Sequence, residues 1–128
     1  MGNEERRNYP RIQIFDPISY LSLDSDGKTV LQNVAVVRDV SQTGIQMEAF
    51  VEVKSKKLSL MFFDMNKNQI EVKGKVVYCR KNESGQFSIG INLIGNEAEN
   101  LRFVKALVKS YHYQKEKSRL AISPGIQN

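Results

Sequence analysis

The feature that most constrains the fold is a series of short segments in which apolar and polar residues alternate, each followed by turn residues. Six such segments lie between residues 11 and 94. The clearest is the last, where Phe87, Ile89, Ile91 and Leu93 alternate strictly with other residues. Six strands at this hairpin spacing predict a mainly β protein, a closed or nearly closed antiparallel β-barrel over residues 12–95.

The segment boundaries predict strands over residues 11–23, 29–39, 44–51, 57–63, 70–79 and 87–94. Pro17 interrupts the first segment and predicts an edge strand or a bulge, because proline cannot donate to a sheet ladder. Gly27 ends a hairpin turn and suits a left-handed backbone position. Gly90 lies inside the last strand, and we interpret it as structural, with a bend as its commonest cause.

A helix is predicted after the barrel, over residues 96–117. Asn96 is a favourable N-cap, and Glu99 stands at the capping-box position three residues later. One face of this helix is apolar, and it carries Leu101, Val104, Leu107, Val108 and Tyr111. Residues 118–128 include a Pro-Gly pair and offer little to bury, so we expect a disordered tail.

Composition excludes several classes of protein. A chain of 128 residues with 41% apolar residues fits one domain with a real core. Cys79 is the only cysteine and His112 the only histidine, so a Cys/His zinc site cannot be assembled. The sequence also lacks a phosphate-binding glycine loop and a nucleophile elbow. We therefore expect neither an enzyme nor a cofactor or metal.

Charge and hydropathy indicate where the protein is located but do not identify its partner. The formal charge of +5 is compatible with an anionic partner, but the lysines are spread along the chain. No stretch approaches eighteen continuous apolar residues, and the first residues lack the apolar core of a signal peptide. A cytoplasmic location without a membrane span is expected.

Three arginines stand close together near the start, at Arg6, Arg7 and Arg11. They lie in a polar segment, residues 1–11, that we expect to be a flexible arm. A planar guanidinium can donate two parallel hydrogen bonds to guanine O6 and N7 or to a phosphate. Arginines in this segment therefore suit a ligand that carries both groups.

A second polar stretch, Asp39, Ser41 and Gly44, connects the second and third predicted strands. An ionised Asp39 is an acceptor only, and it suits the guanine edge that carries N1–H and the 2-amino group. The Ser41 hydroxyl can donate or accept. Gly44 is expected either to adopt a positive φ or to let backbone come close to a ligand. Taken singly, such residues are more often local partners in a turn.

The order Arg7-x-x-x-Arg11 followed by Asp39-x-Ser41-x-x-Gly44 resembles the paired signature of PilZ domains, which bind cyclic dimeric GMP. The resemblance covers residues 6 to 113, nearly the whole predicted barrel and helix. It implies a stand-alone cyclic di-GMP receptor in bacterial second-messenger signalling, with the ligand held by the two stretches. It also implies a barrel of this kind, with a glycine in the final strand.

The resemblance carries two finer expectations. The arm of residues 1–11 is expected to change conformation when the ligand binds and to signal to an unidentified protein partner. In the family, an arginine immediately before the first motif arginine accompanies an intercalated pair of ligands. Arg6 therefore predicts two ligand molecules per domain rather than one.

Two other functions remain open from the sequence. A small basic barrel can bind single-stranded nucleic acid when aromatic rings are displayed above a basic groove, and Phe62, Phe63 and Tyr78 are candidates. The rings are not interleaved with basic residues in outward positions, which makes nucleic acid the weaker alternative. The chain could also be a protein-interaction module that binds no ligand, although the signature residues are all present.

Overall fold

The structure is a computed structural model that describes residues 11–125, with side chains over residues 11–120. Six strands and one helix follow one another along the chain. The elements are β1 (Ile12–Leu23), β2 (Thr29–Val40), β3 (Gly44–Ala49), β4 (Lys57–Phe63), β5 (Gln69–Lys81), β6 (Phe87–Ile94) and α1 (Glu97–Gly125). The prediction of six strands followed by a helix is confirmed.

The six strands form a closed antiparallel barrel in the order β1-β2-β3-β6-β5-β4. The pairing of β1 with β4, for example Tyr20 with Leu60, closes the cylinder. β3 pairs with β6 rather than β4, so the chain crosses from one side of the barrel to the other after Ala49. A closed barrel has no edge strand, which leaves the bulge as the explanation for Pro17.

Alternate residues of every strand face a dry interior. Tyr20, Met47, Leu58, Leu60 and Ile89 are completely buried there. The Tyr20 hydroxyl has no hydrogen-bond partner among the described residues. Its pKa is raised, mainly because burial removes it from water and also because Cys79 is close. The buried side of the alternation identified from the sequence is therefore the barrel core.

β3 is shorter and β5 longer than the sequence predicts. The last pair between β3 and β6 joins Ala49 to Phe87, the first residue of β6, so the ladder ends there. Phe50 follows the strand and is 78% exposed. β5 continues to Lys81, since that residue also pairs with Phe87 across the hairpin. In both cases the partner strand determines the boundary.

The regular pairing of β1 with β2 breaks opposite Arg38. Gln13 pairs with Asp39 and Asp16 with Val37, so two β1 residues stand opposite Arg38 alone. The pairing of β2 with β3 is also irregular here, because it passes from Val37 directly to Asp39 and leaves Arg38 as an extra residue in β2. The interruption predicted from Pro17 is thus a bulge beside it. Bulges increase the local twist and re-aim side chains.

The helix α1 packs against the barrel through its first half. The Asn96 side chain accepts the backbone N–H groups of Ala98 and Glu99 at 2.7 and 3.1 Å, which confirms it as N-cap. Phe103, which the sequence argument did not select, is fully buried and meets Phe62 edge to face with 5.2 Å between ring centroids. Aromatic pairs of this geometry stabilise a core beyond their buried area.

The helix does not end at residue 117. It continues to Gly125, so most of the predicted disordered tail is helical and only residues 126–128 lie outside the described part. Residues 115–120 carry Lys, Arg, Glu and Leu, which are good helix formers, and the first proline comes only at 124. Over the described residues, no helix is long and apolar enough to cross a membrane.

Candidate functional site

The bulge turns two consecutive side chains of β2 toward the outside of the barrel. Strict alternation would bury either Arg38 or Asp39. Instead, Val37 and Val40 are both fully buried, and the two residues between them face outward. A guanidinium and a carboxylate therefore stand side by side on the outer surface. This arrangement follows from the extra residue in the ladder.

Arg38 and Asp39 form part of the wall of a polar pocket of about 510 Å³ on the outer face of β1, β2 and β3. The pocket lies beneath one face of α1. Its walls carry carboxylate, amide, guanidinium and ammonium groups, and its lining residues are Gln13, Ile14, Arg38, Asp39, Gln46, Glu48, Tyr111 and Lys115. Its size is within the range of small-molecule sites, and its mainly polar lining suits a charged, hydrogen-bonding ligand.

Arg11 and Asp39 meet at the rim of this pocket. Nη2 of Arg11 lies 2.9 Å from Oδ1 of Asp39, and the side chains are 59% and 19% exposed. The guanidinium N–H does not point along the hydrogen-bond direction, so Oδ1 has a cation beside it but no aligned donor among the described residues. The carboxylate is therefore an acceptor with unused capacity.

A second ion pair crosses the pocket floor. Nη1 of Arg38 donates a hydrogen bond to Oε1 of Glu48 at 2.9 Å. The Arg38 guanidinium carbon also lies 5.4 Å from the ring centroid of Phe15, at cation–π distance. The sequence argument selected neither Arg38 nor Glu48. Glu48 faces outward two residues from Gln46, and this alternation was the available signal.

Ser41 and Gly44 lie in the turn after β2, and neither lines this pocket. Ser41 is 5% exposed, and its Oγ accepts the backbone N–H groups of Thr43 and Gly44 at 3.3 and 3.2 Å. The Ser41 N–H donates to the Gly44 carbonyl at 2.9 Å. In the described structure these two motif residues fold the turn that ends β2.

Of the two roles expected for Gly44, the positive φ is wrong, and the close approach of backbone to a ligand stays a prediction. Among the described residues, glycines with positive φ are Gly27, Gly85 and Gly95. A Cβ at Gly44 would lie 3.0 Å from the Ile91 carbonyl oxygen of β6, which is tighter than ordinary contact. Glycine suits this position because β3 and β6 come close together here. Gly27 has the left-handed conformation that was predicted.

Gly90 lies in register beside the pocket, in the row Asp39, Gln46, Gly90 and Tyr78 across four strands. A Cβ at Gly90 would overlap the ring of Tyr78, so the ring lies on the glycine. Gly90 is structural, as predicted, but the cause is this close approach rather than a bend. The Arg80 guanidinium lies 4.3 Å from the Tyr78 ring centroid.

The helix α1 contributes Tyr111 and Lys115 to the pocket. Tyr111 also packs partly against the core, and Lys115 lies within 5.8 Å of its ring centroid. Nothing in the sequence indicates that the helix crosses the pocket, because its position depends on tertiary packing. Lys115 adds a cation opposite the strand residues.

An apolar groove of about 570 Å³ lies next to the polar pocket, between α1 and the start of β1. Ile12, Leu101, Val104 and Val108 form most of its surface, and Ser41 lies at its edge. Gln42, Lys105 and Lys109 also line the groove, but most of its surface is apolar and its described lining has no carboxylate that could accept from a guanine edge. The polar pocket is therefore the better candidate site.

Two predicted site residues, Arg6 and Arg7, lie outside the described residues, together with the rest of the arm up to Pro10. Of the other predicted residues, Arg11 and Asp39 are brought together at the pocket. Ser41 and Gly44 lie in the adjoining turn. Within residues 11–120, no group of three or more acidic, histidine or cysteine side chains could hold a metal ion.

Comparison with protein families gives one match relevant to this geometry. The profile described as PilZ domain matches residues 5–110, most of the chain. The match includes the arginine arm, the barrel and the first half of α1. Comparison with curated proteins gives no match.

Solved structures share the fold. The motility inhibitor MotI/DgrA of Bacillus subtilis is 16% identical with a TM-score of 0.58, over 88% of this chain and 52% of its own. The PilZ domain of YcgR from Escherichia coli, solved with c-di-GMP, is 11% identical with a TM-score of 0.59, over 89% and 98%. MrkH of K. pneumonia, solved as a c-di-GMP complex, is 12% identical with a TM-score of 0.55, over 88% and 54%.

At these identities the likeness concerns the fold alone. The chain spans about half the length of MotI/DgrA and MrkH and nearly all of the YcgR domain.

Proposed function

Because this chain belongs to the PilZ domain family, we propose that it is a cyclic di-GMP receptor whose ligand binds in the polar pocket on the outer face of β1, β2 and β3. The observation that carries the proposal is the juxtaposition of Arg11 and Asp39 at 2.9 Å on the pocket rim. Solved PilZ neighbours contain c-di-GMP, which supports the same ligand here. The chain is a receptor rather than an enzyme and requires no metal cofactor.

The pocket chemistry agrees with a guanine nucleotide. Asp39 has acceptor capacity for guanine N1–H and the 2-amino group, while Arg11 and Arg7 can donate to O6 and N7 or to a phosphate. Lys115 and Arg38 add positive charge where two phosphates must be accommodated. Ser41 and Gly44 act by holding the turn that positions Asp39, although the Ser41 hydroxyl retains a proton that it can donate.

The proposal extends to the arm and to signalling. Arg6, Arg7 and the remainder of residues 1–11 are proposed to close over the pocket when ligand binds, since Arg11 already stands at its rim. The closed arm would then be the surface that a downstream protein recognises. The same proposal places the receptor in the cytoplasm, where a second messenger is available to it.

Isothermal titration calorimetry with cyclic di-GMP tests this function. We expect saturable binding by the native chain and weaker binding by Arg7→Ala and Arg11→Ala, each by roughly ten- to a hundred-fold. Arg119→Ala is a matched control, because Arg119 forms an exposed ion pair with Glu116 on α1 and does not line the pocket. Absence of native binding, or unchanged affinity in both arm variants, would contradict the proposal.

A single-stranded oligonucleotide belongs in the same experiment. Of the three rings considered for base stacking, Phe62 is buried, Tyr78 covers Gly90 and Phe63 is 65% exposed, so they do not form a row of exposed rings. We therefore expect no tight binding of the oligonucleotide. Strong binding of it without binding of cyclic di-GMP would favour the nucleic-acid alternative.

The ligand number has its own test. Two ligands stacked in one site bring four phosphate charges together, and Arg6 can offset part of the repulsion and stack on a base. The native chain should bind two molecules per domain and Arg6→Leu one. A native stoichiometry of one would remove the role proposed for Arg6 and leave the receptor function intact.

A further inference from the structure

Two carboxylate–guanidinium pairs lie at the pocket: Arg38, Glu48 and Asp39 line it, and Arg11 approaches Asp39 from outside the lining. Arg11 lies 2.9 Å from Asp39, and Arg38 lies 2.9 Å from Glu48. In both pairs the carboxylate is the less exposed partner, at 19% and 26%, and the arginine is the more exposed one, at 59% and 46%. Each carboxylate is therefore the more shielded member of its pair, and each guanidinium is more open to solvent.

The two carboxylates stand on adjacent strands. Asp39 of β2 pairs with Gln46 of β3, and Glu48 is two residues further along β3 on the same face. Diagonal neighbours of this kind have side chains roughly 7–8 Å apart. Both therefore line one pocket without competing for the same ligand atom.

We propose that Glu48 reads the second guanine of the ligand, with Arg38 released from it to contact a phosphate or the opposite guanine edge. The inference rests on the proposed function and adds a specificity residue to it. A cyclic dinucleotide has two chemically equivalent halves, and the two pairs serve the two halves of the ligand molecule that lies against the strands. The two equivalent guanines of one ligand thus correspond to the two carboxylate–guanidinium pairs.

The chemistry of the edges makes this exchange selective. A carboxylate only accepts hydrogen bonds, and guanine offers it two adjacent donors, N1–H and the 2-amino group. Adenine has an acceptor at N1 and no 2-amino group, so a carboxylate at that edge would meet a lone pair. Two carboxylates in one pocket thus favour guanine at both positions.

The ion pair that Glu48 loses is weak enough to exchange. An ion pair between partly exposed side chains contributes little to stability. The guanidinium of Arg38, once released from Glu48, can bind a phosphate of the ligand. Such charge-assisted hydrogen bonds are stronger than neutral ones. The irregular pairing also leaves Arg38 without a register partner in β1 or β3, which keeps its side chain on the pocket wall.

The test compares two ligands on three proteins. Native protein, Glu48→Gln and the control Glu83→Gln are titrated by calorimetry with cyclic di-GMP and with the mixed cyclic guanine–adenine dinucleotide. Glu83 is exposed in the turn between β5 and β6, so the control removes the same charge outside the pocket. Thermal unfolding of each variant verifies that it is folded.

Glu48→Gln should weaken binding of cyclic di-GMP by at least about tenfold and affect the mixed dinucleotide much less. The native preference for cyclic di-GMP over the mixed ligand should therefore narrow. Equal losses for both ligands, or a variant that matches Glu83→Gln, would overturn the inference while the receptor function stands. A native chain that binds no cyclic di-GMP would overturn the proposed function first, and this inference with it.

Discussion

Asp16 and Asp39 stand on neighbouring strands, on either side of the same irregular pairing, and their surroundings differ completely. Asp39 faces the outer pocket with Arg11 at 2.9 Å. Asp16 is 8% exposed, and its Oδ2 has no hydrogen-bond partner among the described residues. Burial raises the pKa of Asp16 from 3.8 to about 6.

Both residues are aspartates, so the bulge and not the residue type determines whether each carboxylate faces the pocket or is buried. Outside the barrel, a carboxylate beside a cation remains available to a ligand with donor groups. On the buried side, a carboxylate has neither water nor a donor to stabilise its charge, so its ionised form is destabilised. Asp39 is therefore expected to govern binding and Asp16 to govern stability, and this separation can be tested directly.

The largest effect is expected from Asp16→Asn. Since the folded pKa of Asp16 exceeds its unfolded value, the folded chain binds more protons between about pH 3.8 and 6. This contribution to stability is complete below pH 3.8 and is lost as pH rises through 6. At pH 7 the variant should be more stable by up to about 3 kcal/mol, the equivalent of two pKa units.

Urea unfolding between pH 4 and 8 measures this effect. The difference in free energy of unfolding between Asp16→Asn and native protein should grow across that window. Asp26→Asn, in an exposed turn, is the control. Parallel curves for Asp16→Asn and native protein would show that the buried carboxyl has another partner. Cyclic di-GMP affinity should not change in either variant.

Asp39→Ala should have the opposite profile. The loss of a charged acceptor at the guanine edge is expected to weaken cyclic di-GMP binding by about 1–3 kcal/mol, roughly ten- to a hundred-fold. Stability should change by less than about 1 kcal/mol, because the partner guanidinium of Arg11 is 59% exposed and solvent screens the pair. Calorimetry and thermal unfolding measure the two quantities. A large loss of stability with unchanged cyclic di-GMP affinity would show that Asp39 stabilises the fold and does not bind the ligand.

Ser41→Ala is expected to have the smallest effect. It removes the acceptor for the Thr43 and Gly44 N–H groups, both at long distances, and should cost about 1 kcal/mol of stability. Its effect on affinity should be smaller than that of Asp39→Ala, because a neutral hydrogen bond is weaker than a charge-assisted one. A larger loss of affinity in Ser41→Ala would reverse the two roles.

Much of the barrel is predictable from the sequence, since alternation and turn residues are local signals. β4 and β6 have their predicted bounds, Lys57–Phe63 and Phe87–Ile94. The end of β3 is not predictable in this way, because it depends on where β6 begins. The length of α1 was underestimated, since the tail contains helix formers before its first proline.

The candidate site also has a part that is predictable from the sequence and a part that depends on tertiary structure. Arg11 and Asp39 were recognised from a linear motif, and the structure brings them together. Arg38 and Glu48 required knowledge of the register of three strands and of the bulge between them. Lys115 required the position of α1 on the barrel. Tertiary contacts therefore supply the part of the pocket that the motif does not contain.

The central claim is that cyclic di-GMP binds on the outer face of β1, β2 and β3. The most direct test follows backbone amide signals by NMR while cyclic di-GMP is added to the native chain. Among the described residues, the largest shifts should fall on Gln13, Arg38, Asp39, Gln46 and Glu48, with Tyr111 and Lys115 of α1 also affected. Shifts centred on the apolar groove at Leu101 and Val104, or no saturable shifts, would contradict the account.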